Sequence, residues 1–149
     1  IRFKFAAKGE RPALDLFWYD GGMRPRTPEE VERENGELAP EGMLFVGEKG
    51  KILADFRGEK PRILSGEKVD KLPAPTSVNT DWVQAFRGGA PTCGDFLKAG
   101  PISDAMNLAA VSLRLGGKRL LWDAANMKIT NRPEAESYLT REYRKGWEI

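Results

Sequence analysis

The sequence contains no histidine and a single cysteine, Cys93, in 149 residues. The first absence removes the commonest general base and the commonest metal ligand together, and the second forbids an internal disulfide. Ser/His/Asp, Cys/His and zinc-site chemistries are therefore excluded as complete sets within these residues. Charge of one sign is scarce as well: 24 basic residues face 22 acidic ones, and a net charge of +2 lacks the concentrated positive field that a phosphate backbone requires. Nucleic acid is thus not an expected partner. No apolar run approaches the ~18 residues of a membrane span, so a soluble domain with no membrane partner is expected.

What is present is close to the globular average, with 40% hydrophobic and 31% charged residues. A chain of this length can bury ~70% of the surface it exposes when unfolded, which is enough for one domain with a real core. It opens directly on the alternation Ile1-Arg2-Phe3-Lys4-Phe5, with no methionine, charged leader or apolar signal core ahead of it. The expectation is a cut inside a larger protein, with any targeting information upstream.

Ile1, Phe3 and Phe5 alternate with Arg2 and Lys4, and after a turn at Gly9 to Pro12 a second alternation puts Leu14, Leu16 and Trp18 on one face. Two antiparallel strands follow from that pattern. The second ends in Trp18-Tyr19-Asp20-Gly21-Gly22, where paired glycines permit positive φ. From Met23 to Pro40 acidic residues outnumber apolar ones, predicting a solvated loop with one short helical turn after Pro28. Met43 to Val46 and Lys51 to Phe56, joined at Gly47 to Gly50, predict a hairpin. Pro61 to Leu64 predicts a third strand that must lie at an edge, because Pro61 has no N–H for a ladder. Residues 65–78 read as a crossing loop.

Helix signals follow. Thr80 is placed to cap a helix through Phe86 that stops at Gly88-Gly89 and sets Trp82 and Phe86 on one face. A longer helix is expected with Pro101 in its first turn, Gly116-Gly117 past its end, and a buried stripe of Ile102, Ala105, Met106, Ala109 and Leu113. Leu120 to Trp122 returns as a strand, Asn131 with Glu134 frames a capped helix through Leu139, and Tyr143 to Trp147 straps the tail to the domain. Strands first and helices afterwards predict an α+β fold: a mostly antiparallel open sheet with helices on one face. Phe17, Trp18, Phe45 and Phe56 are more apolar side chains than one helix layer covers, so the other face is expected to meet a second subunit in a homo-oligomer.

The segments Pro12-Ala13-Leu14 through Gly22, Gly42 to Gly47, Gly88-Gly89-Ala90-Pro91-Thr92-Cys93, Leu120-Leu121-Trp122-Asp123 and Arg144-Lys145-Gly146-Trp147 carry a resemblance. Together, and in this order, they resemble the C-terminal domain of the Gfo/Idh/MocA oxidoreductases. The resemblance implies a two-domain enzyme whose N-terminal Rossmann domain holds NAD or NADP, while an α+β second domain walls the substrate site and offers an open sheet for oligomer contacts. This chain looks like the second domain alone, with no cofactor of its own. The family's glycine-rich strand-to-helix turn is absent, and Leu115-Gly116-Gly117-Lys118 closes a helix where that turn would open one. Family members also commonly carry an Asp and a His four residues apart just upstream of the point where this chain begins. Hydride transfer at a sugar hydroxyl, managed in the family by a lysine and a histidine, cannot be assembled from these residues. No catalytic residue and no metal ligand is expected here.

Glu59-Lys60-Pro61 spells the family's EKP signature, but at a turn between two short strands, where it reads as an exposed turn. The expected substrate contacts are Trp18, Tyr19 and Asp20, an aromatic platform followed by a carboxylate that could stack a sugar ring and accept its hydroxyl hydrogens. Arg24, with Arg26 beside it, could hold a carboxylate or hydroxyl of that substrate. The same residues also have a plain structural reading, with Trp18 in the sheet core, Tyr19 its surface neighbour and Asp20 in an Asx-turn. Cys93 reads as a packed thiol without an activating base, Asp95 as a helix cap, Asn107 as a helix-surface amide and Asp123 as an acceptor for backbone donors in the next turn. The expectation for the whole is the substrate-binding and oligomerisation domain of an NAD(P)-dependent sugar or polyol oxidoreductase. An NAD-dependent glycosidase of the same family, or a free-standing carbohydrate-binding or assembly module, remains open beside it.

Overall fold

The computed structural model describes residues 1–66, 78–92 and 94–148. The loop expected over 65–78 lies mostly outside them, as does Cys93. The fold is α+β with open antiparallel sheets, and its contacts fall into two compact units, Ile1–Thr76 and Ser77–Ile149. The strands divide among three small sheets where a single sheet was expected: β1 with β2, β3 with β4 and β5, and β6 with β7. No described helix is long and apolar enough to cross a membrane.

In the first unit, β1 (Arg2–Phe5) pairs antiparallel with β2 (Leu14–Phe17), with Phe3 opposite Leu16 and Phe5 opposite Leu14. The period of two then puts Ile1, Phe3, Phe5, Leu14, Leu16 and Trp18 on one face and Arg2, Lys4, Asp15 and Phe17 on the other. Phe17 and Trp18 therefore do not share a face, which corrects their grouping as one apolar surface. On the polar face Arg2 Nη2 binds Asp15 Oδ2 at 2.6 Å, and the guanidinium of Arg2 lies 5.3 Å from the centre of the Phe17 ring.

The hairpin of β3 (Met43–Gly47) and β4 (Gly50–Ala54) turns through two residues, and β5 (Arg62–Ile63) adds to β4 as an edge strand, as Pro61 requires. Helix α1 (Glu29–Arg33) is the short turn expected after Pro28. It lies over the face that carries Lys51 and Arg62: Glu30 binds Lys51 at 2.9 Å, and Glu34, just past the helix, binds Arg62 at 2.7 Å. Pro28, Val31 and Leu38 are buried. The opposite face shows Met43, Phe45, Ile52 and Ile63, with Phe45 57% exposed. Helix α1 thus covers one side of this small sheet, while the later helices α2 and α3, expected to form the layer on a single main sheet, belong to the second unit.

In the second unit, α2 (Val78–Phe86) starts ahead of Thr80, which lies within its first turn, so the cap expected at Thr80 is misplaced. Trp82 and Phe86 do meet, with ring centres 4.8 Å apart. Helix α3 (Phe96–Arg114) begins at a cap on Asp95, whose Oδ1 accepts the Lys98 N–H at 3.1 Å. Pro101 consequently sits inside the helix and not in its first turn, and it offers no N–H to the Leu97 carbonyl. Both helices end alike: Gly89 N–H reaches Gln84 O and Gly117 N–H reaches Ser112 O, each at 2.9 Å, with Gly88 and Gly116 in the left-handed conformation.

The core of this unit is small, built on Val111, Ile129 and Ala135 with Leu108, Leu115, Leu120, Trp122 and Leu139 against them. The expected α3 stripe is only partly right, since Ala109 is buried whereas Ile102, Met106 and Leu113 are exposed. Positions 108, 111 and 115 also recur at helical spacing, and they are the ones packed against the short hairpin of β6 (Trp122–Asp123) and β7 (Lys128–Ile129). Asn131 caps nothing: its Oδ1 accepts from Leu121 N at 2.8 Å and its Nδ2 donates to Arg119 O at 3.0 Å, so the 3₁₀ helix Pro133–Tyr138 starts without a side-chain cap. The tail forms local contacts in place of the expected strap, with Arg144 over Trp147 and Arg141 over Tyr143, and Trp147 is 66% exposed.

Candidate functional site

Trp18, Tyr19 and Asp20 follow directly on β2. Backbone bonds between Ile1 and Trp18, 2.8 Å in both directions, extend the ladder and fix Trp18 at its end. Both rings are partly open to solvent, Trp18 at 42% and Tyr19 at 44%, so neither lies in a sheet core within this chain. Asp20 begins a tight turn in which Met23 N–H donates to Asp20 O at 3.2 Å. Gly21 and Gly22 have φ of +63° and +84°, a conformation that costs a residue with a side chain roughly 1–2 kcal/mol. The Asp20 Oδ1 accepts the Gly21 N–H at 2.6 Å, which leaves Oδ2 for another donor. Arg24 donates from Nη1 to Leu38 O at 2.7 Å, while Arg26 is exposed. Trp18, Tyr19 and Asp20 thus stand at one strand end and its turn, whereas Arg24 follows the turn and directs its guanidinium to Leu38 O.

The other residues singled out take structural places. Glu59 and Lys60 are exposed at a turn where Asp55 Oδ1 accepts the N–H groups of Arg57 and Glu59. Asp123 accepts from Ala125 N, Asn126 N and Asn126 Nδ2, which holds its carboxyl below the usual range, the Asn126 side chain contributing most. Asn107 is exposed on α3, and Asp95 serves as its cap. An open cleft of about 650 Å³, lined by Pro40, Glu41, Asp55, Phe56, Arg57 and Glu59, was not anticipated. Its walls are separated in sequence, and no local pattern joins them.

Among the described residues, no group of three His, Cys, Asp or Glu side chains is arranged to hold a metal ion. The two glycine pairs that follow α2 and α3 do not form a pyrophosphate site. A pyrophosphate needs free N–H groups at a helix N-terminus, whereas those of Gly88, Gly89, Gly116 and Gly117 already bond carbonyls at the ends of α2 and α3.

The fold is that of an open-sheeted α+β domain. The model of the oxidoreductase family, C-terminal alpha/beta domain, matches residues 33–149, most of the chain. The chain belongs to the Gfo/Idh/MocA oxidoreductase family as one of these C-terminal domains. The match begins at the end of α1, so β1, β2 and the Trp18 to Arg24 segment precede it. No curated protein matches the chain.

Proposed function

We propose that this chain is the substrate-side domain of an NAD(P)-dependent oxidoreductase acting on a sugar or polyol, with the nicotinamide held by a dinucleotide-binding domain outside these residues. The family match over residues 33–149 carries the reading. Bound NAD(P) supplies the hydride acceptor, and the residues of this chain bind and orient. Trp18 and Tyr19 offer ring faces to the apolar side of a sugar, and Asp20 Oδ2 accepts from a hydroxyl. Orientation of this kind lowers a barrier by holding the reacting carbon in place, without chemistry from the domain itself. Its second partner is another copy of the chain, seated on the open face of Met43, Phe45, Ile52 and Ile63, where water contact with a continuous apolar patch favours association.

The test uses the full-length gene product. Formation of reduced nicotinamide is followed with NAD and with NADP across a panel of aldoses, polyols and glycosides. Oxidation of a free sugar or polyol supports the reading. Glycoside cleavage without net nicotinamide reduction replaces it with the glycosidase, and sugar binding by a gene product that neither binds nor needs a nucleotide replaces it with a binding module.

A further inference from the structure

Among the described residues, the guanidinium of Arg24 joins the turn that follows the aromatic pair to the segment at Leu38. We propose that Arg24 is a positioning residue for Trp18, Tyr19 and Asp20, acting by clamping the loop beyond them to the Leu38 carbonyl and not by touching a ligand. The inference rests on the sugar-contacting role proposed above.

On its N-terminal side the ledge is fixed by the two Ile1 to Trp18 backbone bonds. On its C-terminal side the Asp20 to Met23 turn is closed by one 3.2 Å bond, and Met23 is 69% exposed, so packing there adds little. Arg24 comes next, and its 2.7 Å bond to Leu38 O spans fourteen positions. That acceptor belongs to a firm part of the unit: Leu38 is buried, Pro28 and Val31 are buried before it, and Glu30 to Lys51 and Glu34 to Arg62 tie the segment to β4 and β5. A line of restraint therefore runs from the sheet through α1 and Leu38 to Arg24, and from there back to Asp20. Removing the guanidinium leaves the left-handed Gly21-Gly22 pair, the most permissive backbone in the loop, as the pivot.

A clamp and a ligand differ in their response to charge. A guanidinium that touched substrate would favour anionic sugars, and its loss would fall on them selectively. A clamp is indifferent to substrate charge. The experiment compares wild type, Arg24→Ala and Arg24→Lys in the full-length gene product, using a neutral polyol and the matching uronate, together with amide exchange at Gly21 to Met23. The expected result is a rise in KM by a similar factor for both substrates, about three- to tenfold as for one lost hydrogen bond, with kcat within about twofold. Arg24→Lys, which keeps a donor for Leu38 O, recovers part of the loss, and exchange at Gly21 to Met23 quickens in Arg24→Ala while that of β3 and β4 stays slow. A loss confined to the uronate overturns the clamp in favour of a ligand role, and unchanged exchange overturns it outright. If wild type turns over no sugar at all, the functional reading fails, and the exchange comparison still decides the clamp. Should Arg24→Ala not fold, Arg24→Met, which keeps the aliphatic stem and has no donor for Leu38 O, decides: exchange faster than wild type upholds the clamp, exchange equal to it overturns it.

Discussion

Lys51 and Glu30 meet at two points: Lys51 Nζ lies 2.9 Å from both carboxylate oxygens of Glu30, joining α1 to the middle strand of the three-stranded sheet. Both side chains are about one-third exposed, so the pair is only partly screened by water. The bond from Lys51 holds the Glu30 carboxyl below its usual range. Replacing Glu30 by Gln keeps the shape and removes the charge. The expected outcome is looser α1 with an intact β3–β4 hairpin, read as faster amide exchange at residues 31–36 and unchanged exchange at 44–53; equal acceleration in both segments would show that the pair is not a local tether.

Stability should fall only in acid. Asp15, Glu30, Asp95 and Asp123 are all held low, by Arg2, Lys51, Lys98 and Asn126 respectively. Because their folded pKa values are depressed, the unfolded chain binds more protons as pH drops. Their contribution is complete above the unfolded values near ~4 and is lost as pH falls through the folded ones. The sequence has no histidine, so nothing of that type titrates near neutrality. Thermal midpoints measured against pH should be flat from about pH 5.5 to 7.5 and decline below about pH 4.5. A step near pH 6.5 would contradict this account.

Ile129 is 3% exposed and Ala135 fully buried in the core of the second unit. Ile129→Ala should cost about 2–4 kcal/mol through lost burial and a cavity, and Ala135→Leu about 1–3 kcal/mol through overpacking. Urea titration followed by far-ultraviolet circular dichroism reads both. Costs under about 0.5 kcal/mol, the level of ordinary surface changes, would mean that this cluster is not a core.

Asn131 links two backbone groups that would otherwise lack these partners, Leu121 N and Arg119 O. Asn131→Ala should destabilise by about 1–2 kcal/mol, whereas Asn131→Asp keeps the acceptor for Leu121 and loses the donor to Arg119, for a smaller effect. Equal losses in the two variants would count against this division of roles.

The oligomer proposed on the sheet face has a direct test at Phe45, which is 57% exposed in the isolated chain. Phe45→Lys in the full-length gene product should lower the mass seen by sedimentation to that of a monomer without lowering the helix signal in circular dichroism. An unchanged oligomeric mass would place the interface elsewhere.

Where the sequence pattern was strong, it carried through to structure. The alternations of Phe3 and Phe5 and of Leu14 and Leu16, the Gly47 to Gly50 turn and the proline ahead of β5 all act within a few residues, and each produced its element. Errors fell where two local signals competed. Pro101 and Asp95 both announce a helix start, and the bond from Lys98 N to Asp95 settled it at Phe96, five residues before Pro101. Asn131 carries a capping pattern with Glu134, yet the backbone of Arg119 and Leu121, in the segment leading into β6, took its amide. Strand β7 is two residues long, too short for any alternation to show. The strand end and turn at Trp18 to Met23 were readable because the residues are consecutive; the bond from Arg24 to Leu38 was not, since nothing local links positions fourteen apart.

All three sheets join strands that are neighbours along the chain, β1 with β2, β3 with β4 with β5, and β6 with β7. Every ladder can thus close over a short loop, so little chain entropy is lost before its contacts form. Hairpins of this kind form in about 1–10 μs, far faster than ribosomes add residues. Each sheet can therefore assemble as soon as its last strand leaves the exit tunnel, without waiting for sequence still to be made. The vulnerable interval comes afterwards, when finished hairpins with bare strand edges and uncovered apolar faces await their partners at the concentration of nascent protein.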